Sequence, residues 1–200
     1  SLMLTYYADR TMNPYTATDF TNRALFPLIY QGLFATDSSY QVTPILCSKY
    51  YVSENMKQYT FYLEKNARFS DGTPVDADDV VASYQAAMES GYYSSRFAHV
   101  KELYIAEDGG VVFKLGTAYE NFPILLDVPI LKAEEVTAAR PLGTGPYRLE
   151  DSLTGAQLRR VKNWWCGVDV VIRTDAIPLV VAESPTQVRD QFEFSDVSLV

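Results

Sequence analysis

The sequence predicts an α/β fold, a mixed sheet with flanking helices, and two adjacent patterns joined by a turn indicate it. Residues 59–64 alternate apolar and polar side chains, which is the period of a half-buried strand. Residues 77–90 carry an apolar stripe at helical spacing, which is typical of an amphipathic helix packed on a sheet. Asp71, Gly72 and Pro74 lie between them and favour a turn, because glycine accepts positive φ and proline lacks a backbone donor.

The start of this helix is predicted from its acidic residues. Asp76 is the expected N-cap, because its carboxylate can accept a hydrogen bond from the free amide of Asp78 or Asp79. Asp78 and Asp79 themselves favour the positive end of the helix dipole. Gly91 is predicted to end the helix.

The first 31 residues predict a strand, a polar turn and a helix. The strand covers residues 2–8. The helix covers residues 20–31, with Asp19 or Thr21 as its cap. Pro27 should kink this helix or mark its true start, since proline cannot donate a helical hydrogen bond.

The rest of the chain continues the alternation of strands and helices. Residues 101–106 and 111–115 flank the sequence Glu-Asp-Gly-Gly, which is a strong hairpin signal. We expect residues 36–140 to contain an antiparallel subdomain. The other predicted strands lie at 50–52, 156–161, 168–173 and 196–199, and the other predicted helices at 119–127, 133–139 and 184–192.

Three of the predicted strands should form the mixed sheet, namely those at 2–8, 168–173 and 196–199. The glycine-rich loop at 141–147 does not read as a phosphate-binding loop. It lacks the Gly-Lys-Ser/Thr ending, and no predicted helix follows it.

Composition excludes several classes of function. The net charge of −8 has no basic lobe to offset it, so nucleic acid is not expected as a partner. No apolar run approaches the ~20 residues of a membrane span, and no signal peptide is recognisable at the start of the chain. Cys47 and Cys166 either pair in an oxidising compartment or remain free thiols.

The sequence contains no pattern that indicates an enzyme. It has no G-x-S-x-G motif, and His99 is its single histidine. Structural zinc takes four Cys or His ligands, whereas this chain has two cysteines and one histidine. We therefore expect no catalytic residues, no metal site and no cofactor.

Two motifs resemble a known family. Residues 69–80 read F-x-D-G-x-P-x-x-A-x-D-V, and residues 141–147 read P-x-G-T-G-P-Y. Tyr30-Gln31-Gly32-Leu33 is similar to the family's Y-E-G-L. These stretches resemble the solute-binding proteins that serve oligopeptide, dipeptide and nickel ABC importers, known as family 5.

The resemblance implies a fold, a function and a location. The fold would be a periplasmic-binding-protein-like lobe of type II, the Venus-flytrap class, with residues 1–200 as the first lobe and the second lobe missing. The function would be capture of oligopeptides or a related small solute outside the membrane and delivery to ABC permease subunits. The full-length protein would be extracellular or periplasmic, anchored as a lipoprotein. An alternative is a ligand-sensing domain of a cytoplasmic transcription regulator.

The resemblance also implies a ligand-binding half-site. Tyrosine offers an apolar face and a hydroxyl, asparagine can donate and accept, and Arg23 can pair with a ligand carboxylate. Nickel is disfavoured, because His99 is the single imidazole. We expect the contributing segments to lie on one face with several side chains exposed. The residues implied by position are Asn13, Tyr15, Asp19, Asn22, Arg23, Tyr92 and Tyr93, with Pro129 and Ile130 nearby.

Overall fold

The computed structural model describes residues 2–167 and 174–183, in which two four-stranded sheets share one hydrophobic core. The α-helices are α1 (Phe20–Arg23), α2 (Phe26–Ile29) and α3 (Ala77–Glu89), and 3-10 turns occupy Ser94–Phe97, Phe122–Leu125 and Ala133–Glu135. The strands are β1 (Leu4–Tyr7), β2 (Phe34–Thr36), β3 (Val42–Pro44), β4 (Cys47–Val52), β5 (Gln58–Leu63), β6 (Val100–Ile105), β7 (Val111–Leu115), β8 (Tyr147–Ser152), β9 (Gly155–Arg160) and β10 (Ala176–Ala182).

The first sheet has the order β1-β10-β9-β8. β1 runs parallel to β10, whereas β10, β9 and β8 are antiparallel neighbours, so the predicted mixed sheet is confirmed. Its membership differs from the prediction, because the strand beside β1 is β10. β10 was not predicted from the sequence. Pro178 lies inside it, and a proline inside an apolar run argues against a strand. The predicted strands at 168–173 and 196–199 and the predicted helix at 184–192 lie outside the described residues.

β10 tolerates its proline because it changes partner along its length. Ala176, Ile177 and Pro178 pair with β9, and the strand pairs with β1 from Leu179 onwards. Pro178 is exposed, while Ile177 and Leu179 on either side are buried. The strand therefore buries alternate residues without needing an amide at position 178.

The second sheet is antiparallel, with the order β4-β5-β7-β6. In it β4 pairs with β5, and the predicted hairpin of β6 and β7 is confirmed. Phe113 on its inner face is fully buried, and its ring lies 5.2 Å from those of Tyr84 and Phe122. The sheet falls within residues 36–140, and the division of the chain at those positions stays a prediction.

Helix α3 begins as predicted and ends slightly early. The Asp76 carboxylate accepts from the amide of Asp79, and the Asp79 carboxylate accepts from the amide of Asp76, which is a capping box. The last turn is closed by Ser90 and not by Gly91. The Ser90 hydroxyl donates to the Ala87 carbonyl at 2.8 Å and accepts from the Tyr93 amide at 3.1 Å.

Three predicted helices are shorter than expected. The helix at 20–31 is divided into α1 and α2, and Pro27 lies in the first turn of α2, where a missing amide costs nothing. The other two are reduced to the 3-10 turns Phe122–Leu125 and Ala133–Glu135, and side chains from elsewhere bind backbone carbonyls beside these turns. Tyr59 donates to the carbonyls of residues 119 and 120, and Asn13 donates to those of residues 136 and 138.

Candidate functional site

A cleft of about 410 Å³ opens beside the two short helices. Its wall mixes aromatic and aliphatic side chains with a small number of charged and amide groups, which is the composition of a small-molecule site. The lining residues are Arg23, Phe26, Pro27, Tyr30, Gln31, Gly32, Phe34, Ala35, Ile45, Tyr93, Asp127 and Pro129.

One wall of the cleft is the extended segment at 128–131, and backbone contacts hold it in place. Pro129 forms a β-bridge with Gly32, and the Ile130 amide donates to the Gln31 carbonyl at 2.9 Å. On its far side the Ser83 hydroxyl of α3 donates to the Leu131 carbonyl and accepts from the Leu131 amide. The capped helix therefore positions a wall of the cleft, although α3 does not line it.

Arg23, the last residue of α1, is held from several directions. Its Nη1 donates to the carbonyls of Pro14 at 3.0 Å and Ala17 at 2.8 Å, and its Nη2 donates to the Tyr93 hydroxyl at 3.2 Å. The guanidinium carbon lies 3.6 Å from the centre of the Tyr92 ring, within the range of a cation–π contact. The planar fork is thus oriented before any ligand arrives.

Tyr93 lies between two arginines. The guanidinium carbon of Arg96 is 5.0 Å from its ring, and Arg96 also forms an ion pair with Asp127. Burial raises the pKa of Tyr93 and outweighs the opposite effect of Arg23, so the hydroxyl stays protonated at neutral pH. Because this oxygen accepts from Arg23, its own proton is left for another acceptor.

Asn13 and Tyr15 are buried, and their polar atoms are used within the chain. Asn13 Oδ1 accepts from the Tyr15 amide at 2.9 Å, and its Nδ2 bonds hold the segment that follows Ala133–Glu135. The Tyr15 hydroxyl donates to the Pro129 carbonyl at 2.6 Å. Tyr15 therefore supports the cleft wall at Pro129, and Asn13 fixes the backbone of Tyr15.

Asn22 and Asp19 are also engaged inside the lobe. Asn22 is fully buried, where its Oδ1 accepts from the Tyr7 amide at 2.7 Å and its Nδ2 donates to the Tyr7 carbonyl at 3.0 Å. Asp19 makes no side-chain cap to α1, contrary to prediction, and pairs with Arg10 at 3.7 Å instead. Of the seven predicted residues Tyr92 alone is exposed, at 46 %, and Tyr93 is buried, so the expectation that several of these side chains would be exposed is wrong.

Of the seven predicted site residues, the structure brings Arg23, Tyr92 and Tyr93 into direct contact. Gln31, Asp127 and Arg96 were not predicted, and all three lie in or beside the cleft. Gln31 lies in the Y-Q-G-L stretch that resembles the family, and this resemblance could have indicated it as a site residue. Nothing local marks the pairing of Arg96 with Asp127, because the two are separated by 31 positions.

Gln31 connects the cleft to the glycine-rich loop. Its Oε1 accepts from the Thr144 hydroxyl and from Trp165 Nε1, each at 3.0 Å. The Thr144 carbonyl in turn accepts from Trp164 Nε1 at 2.7 Å. The two tryptophans therefore hold the loop of residues 141–147 next to Gln31, which lines the cleft.

The described residues also bear on metal binding, membrane insertion and thiol chemistry. Across positions 2–167 and 174–183, no group of three or more His, Cys, Asp or Glu side chains is placed to hold a metal ion. In those same stretches, no helix combines the length and apolar character that crossing a bilayer requires. Cys47 is buried, Cys166 is exposed, and both thiols are free.

The chain is similar in sequence to a solute-binding protein. The chain is 26 % identical over 169 residues to the glutathione-binding protein GsiB of Salmonella paratyphi A, covering 78 % of this chain and 33 % of GsiB. It thus spans about a third of that relative's length.

Two solved structures show the same fold at low identity. NikZ from Campylobacter jejuni, in complex with Ni(L-His), superposes with a TM-score of 0.72 and 19 % identity over 98 % of this chain and 42 % of NikZ. Haemophilus influenzae OppA, in complex with RPPGFSPFR, gives 0.70 and 18 % over 98 % of this chain and 44 % of OppA. The predicted lobe of a type II periplasmic binding protein is therefore confirmed.

The sequence model of one family matches most of the chain. Its description is "Bacterial extracellular solute-binding proteins, family 5 Middle", and the match covers residues 41–198. This extent includes the antiparallel sheet, helix α3 and the glycine-rich loop, whereas most of the residues that line the cleft precede it. The chain belongs to the family 5 bacterial extracellular solute-binding proteins.

Proposed function

We propose that the protein containing this chain captures a short peptide or a related small solute outside the membrane and delivers it to the permease subunits of an ABC importer. The observation that carries this proposal is a cleft with a fixed arginine fork and tyrosines, in a chain of the solute-binding family. The similar proteins GsiB and OppA are described with glutathione and with a peptide, which supports a peptide-like ligand here.

The site divides into two groups of residues. Arg23, Tyr92 and Tyr93 contact the ligand, because Arg23 and Tyr93 line the cleft and Tyr92 is exposed beside them. Asn13, Tyr15, Asp19 and Asn22 position the segments around it. Pro129 lines the cleft, and Ile130 anchors the same segment to Gln31.

In such proteins two lobes close around the ligand, and closure presents the complex to the permease. The cleft described here would supply one side of that enclosure. Location outside the membrane and attachment as a lipoprotein are part of the same proposal.

Calorimetry on the full-length protein tests this function. Di- to pentapeptides and glutathione should bind with micromolar or tighter affinity, and nickel with histidine should not. A protein that binds nickel–histidine and no peptide would contradict the peptide class. A protein that binds none of these ligands, in a correctly folded sample, would contradict the proposed substrate class as a whole.

A further inference from the structure

The charge of Arg23 has no carboxylate partner in the part of the chain that the structure describes. Only the exposed Arg68 shares this property among the described arginines. The other arginines pair as Arg10–Asp19, Arg96–Asp127, Arg140–Asp151, Arg148–Glu150, Arg159–Glu150 and Arg160–Asp175. Arg23 differs from Arg68 in being half-buried at the wall of a cleft.

The partners of Arg23 are neutral. They are two backbone carbonyls, one tyrosine hydroxyl and the faces of aromatic rings. These groups orient the guanidinium and lower the cost of its partial burial, but they do not neutralise it. Charges taken out of water in proteins are ordinarily paired, so an arginine placed this way lacks its counter-ion.

The guanidinium also has donors to spare. Of the five N–H groups of an arginine, three are used by the carbonyls of Pro14 and Ala17 and by the Tyr93 hydroxyl. Nε and the second hydrogen on Nη2 have no acceptor among the described residues. The protonated Tyr93 hydroxyl adds a further donor at the same place.

The acidic residue in the cleft does not compensate this charge. Asp127 lines the cleft, but its carboxylate is paired with Arg96. The two arginines and one aspartate therefore leave a net positive charge at this wall, in a chain whose net charge is −8. A local positive potential in an acidic chain favours a negatively charged ligand group.

We propose that the ligand carries a carboxylate that binds Nε and Nη2 of Arg23, with the Tyr93 hydroxyl as a further donor. This inference rests on the proposed function and narrows its substrate class to anionic or zwitterionic solutes. A neutral solute, or a peptide whose carboxylate is blocked, would leave Arg23 buried without its counter-ion in the closed protein.

A matched pair of probes tests the carboxylate. Trialanine and trialanine amide differ at the C-terminal group alone, and calorimetry on the full-length protein compares their affinities. The wild type should bind the free acid at least about ten-fold more tightly than the amide. This ratio corresponds to the lower end of the free energy that a charge-assisted hydrogen bond contributes. Equal affinities in the wild type would overturn the proposal.

Three variants test whether Arg23 causes the preference for the free acid over the amide. Arg23→Gln should bind acid and amide within about two-fold of each other. Arg68→Gln removes the same charge from an exposed arginine outside the cleft, and it should keep the wild-type preference. Arg23→Lys keeps the charge and loses the fork, so its preference should be intermediate. Equal weakening of both probes in Arg23→Gln would show a purely structural role and overturn the assignment.

A further experiment, which uses no peptide, distinguishes failure of this proposal from failure of the proposed function. If neither trialanine nor its amide binds the wild type, the peptide class fails. Thermal melting in sodium succinate and in sodium chloride of equal ionic strength then tests the anion site. Succinate should raise the melting temperature of the wild type more than that of Arg23→Gln. The same response in both proteins would overturn the anion site as well.

Discussion

Gly143 lies so close to the end of α2 that a β-carbon on it would stand 2.1 Å from the carbonyl oxygen of Ile29. Gly145 donates its amide to the same oxygen at 2.9 Å. Neither glycine has a positive φ. The glycines of this loop are therefore required by close approach of two backbones, and not by an unusual local conformation.

Replacing Gly143 by alanine should destabilise the protein by about 2–3 kcal/mol, because the new methyl group overlaps backbone atoms that cannot move independently. Urea denaturation of both proteins measures the effect. Gly91→Ala is the control, since a β-carbon at this exposed glycine meets nothing within 4 Å. A Gly143→Ala midpoint equal to that of the control would contradict the close approach.

Replacing Asp76 by alanine should lower the free energy of unfolding by about 1 kcal/mol, because the amide of Asp79 loses its acceptor. Asp78→Ala, in the same helical turn, removes an acidic side chain that takes no part in the capping box. Its effect should stay at a few tenths of a kcal/mol, roughly the dipole contribution. Equal losses in the two variants, measured by denaturation midpoint, would count against the box.

Replacing Asn22 by alanine should cost about 1–3 kcal/mol, because the amide of Tyr7 at the end of β1 loses its acceptor and the Tyr7 carbonyl keeps only the Arg10 amide as a donor. Ligand affinity per folded molecule should be unchanged, since Asn22 has no exposed surface. Asn121→Ala, at an exposed asparagine, should change neither quantity. Weaker ligand binding by a fully folded Asn22→Ala protein would place Asn22 among the contacting residues.

The ion pair of Asp71 and Lys132 should make stability depend on pH in the acid range. Burial raises the pKa of Asp71, but hydrogen bonds from Lys132 and Thr73 outweigh it and hold the value at about 2. The unfolded aspartate binds its proton first, so this stabilisation is complete above pH 4 or so and is lost as the pH falls towards about 2.

Asp71→Asn should therefore be less stable than the wild type at pH 7, by under about 1 kcal/mol for a pair near the surface. The difference should shrink as the pH falls from about 4 to about 2. Lys132→Gln should show the same convergence, because it removes the other partner of the same ion pair. A wild-type advantage that stays constant down to pH 2, in denaturation curves, would rule out this pair as the cause.

The elements that were predicted correctly depend on neighbours in the sequence. Asp76 and Asp79 are three positions apart, so their capping box follows from local geometry. The hairpin of β6 and β7 is likewise set by the turn between its strands. Pro27 marked the start of α2 for the same reason, since the restriction acts on the residue's own backbone.

The elements that were predicted wrongly depend on groups distant in the sequence. In place of the helix expected at 133–139 there is the 3-10 turn Ala133–Glu135, and Asn13, more than a hundred positions away, binds the carbonyls of residues 136 and 138 that follow it. β10 was hidden by Pro178, whose effect vanishes once the strand changes partner at that point. Such contacts between distant residues leave no mark in the local pattern.

The sequence by itself determined the α/β class and the family, because motifs and periodicity are properties of neighbouring residues. The tertiary structure alone decided which side chains line the cleft, and most of them come from residues 26–35, which the sequence did not indicate. Arg23 and Tyr93 are separated by 70 positions, and tertiary packing brings them within hydrogen-bond distance. The same packing buries Asn13, Tyr15 and Asn22, and it leaves the charge of Arg23 beside the cleft without a counter-ion among the described residues.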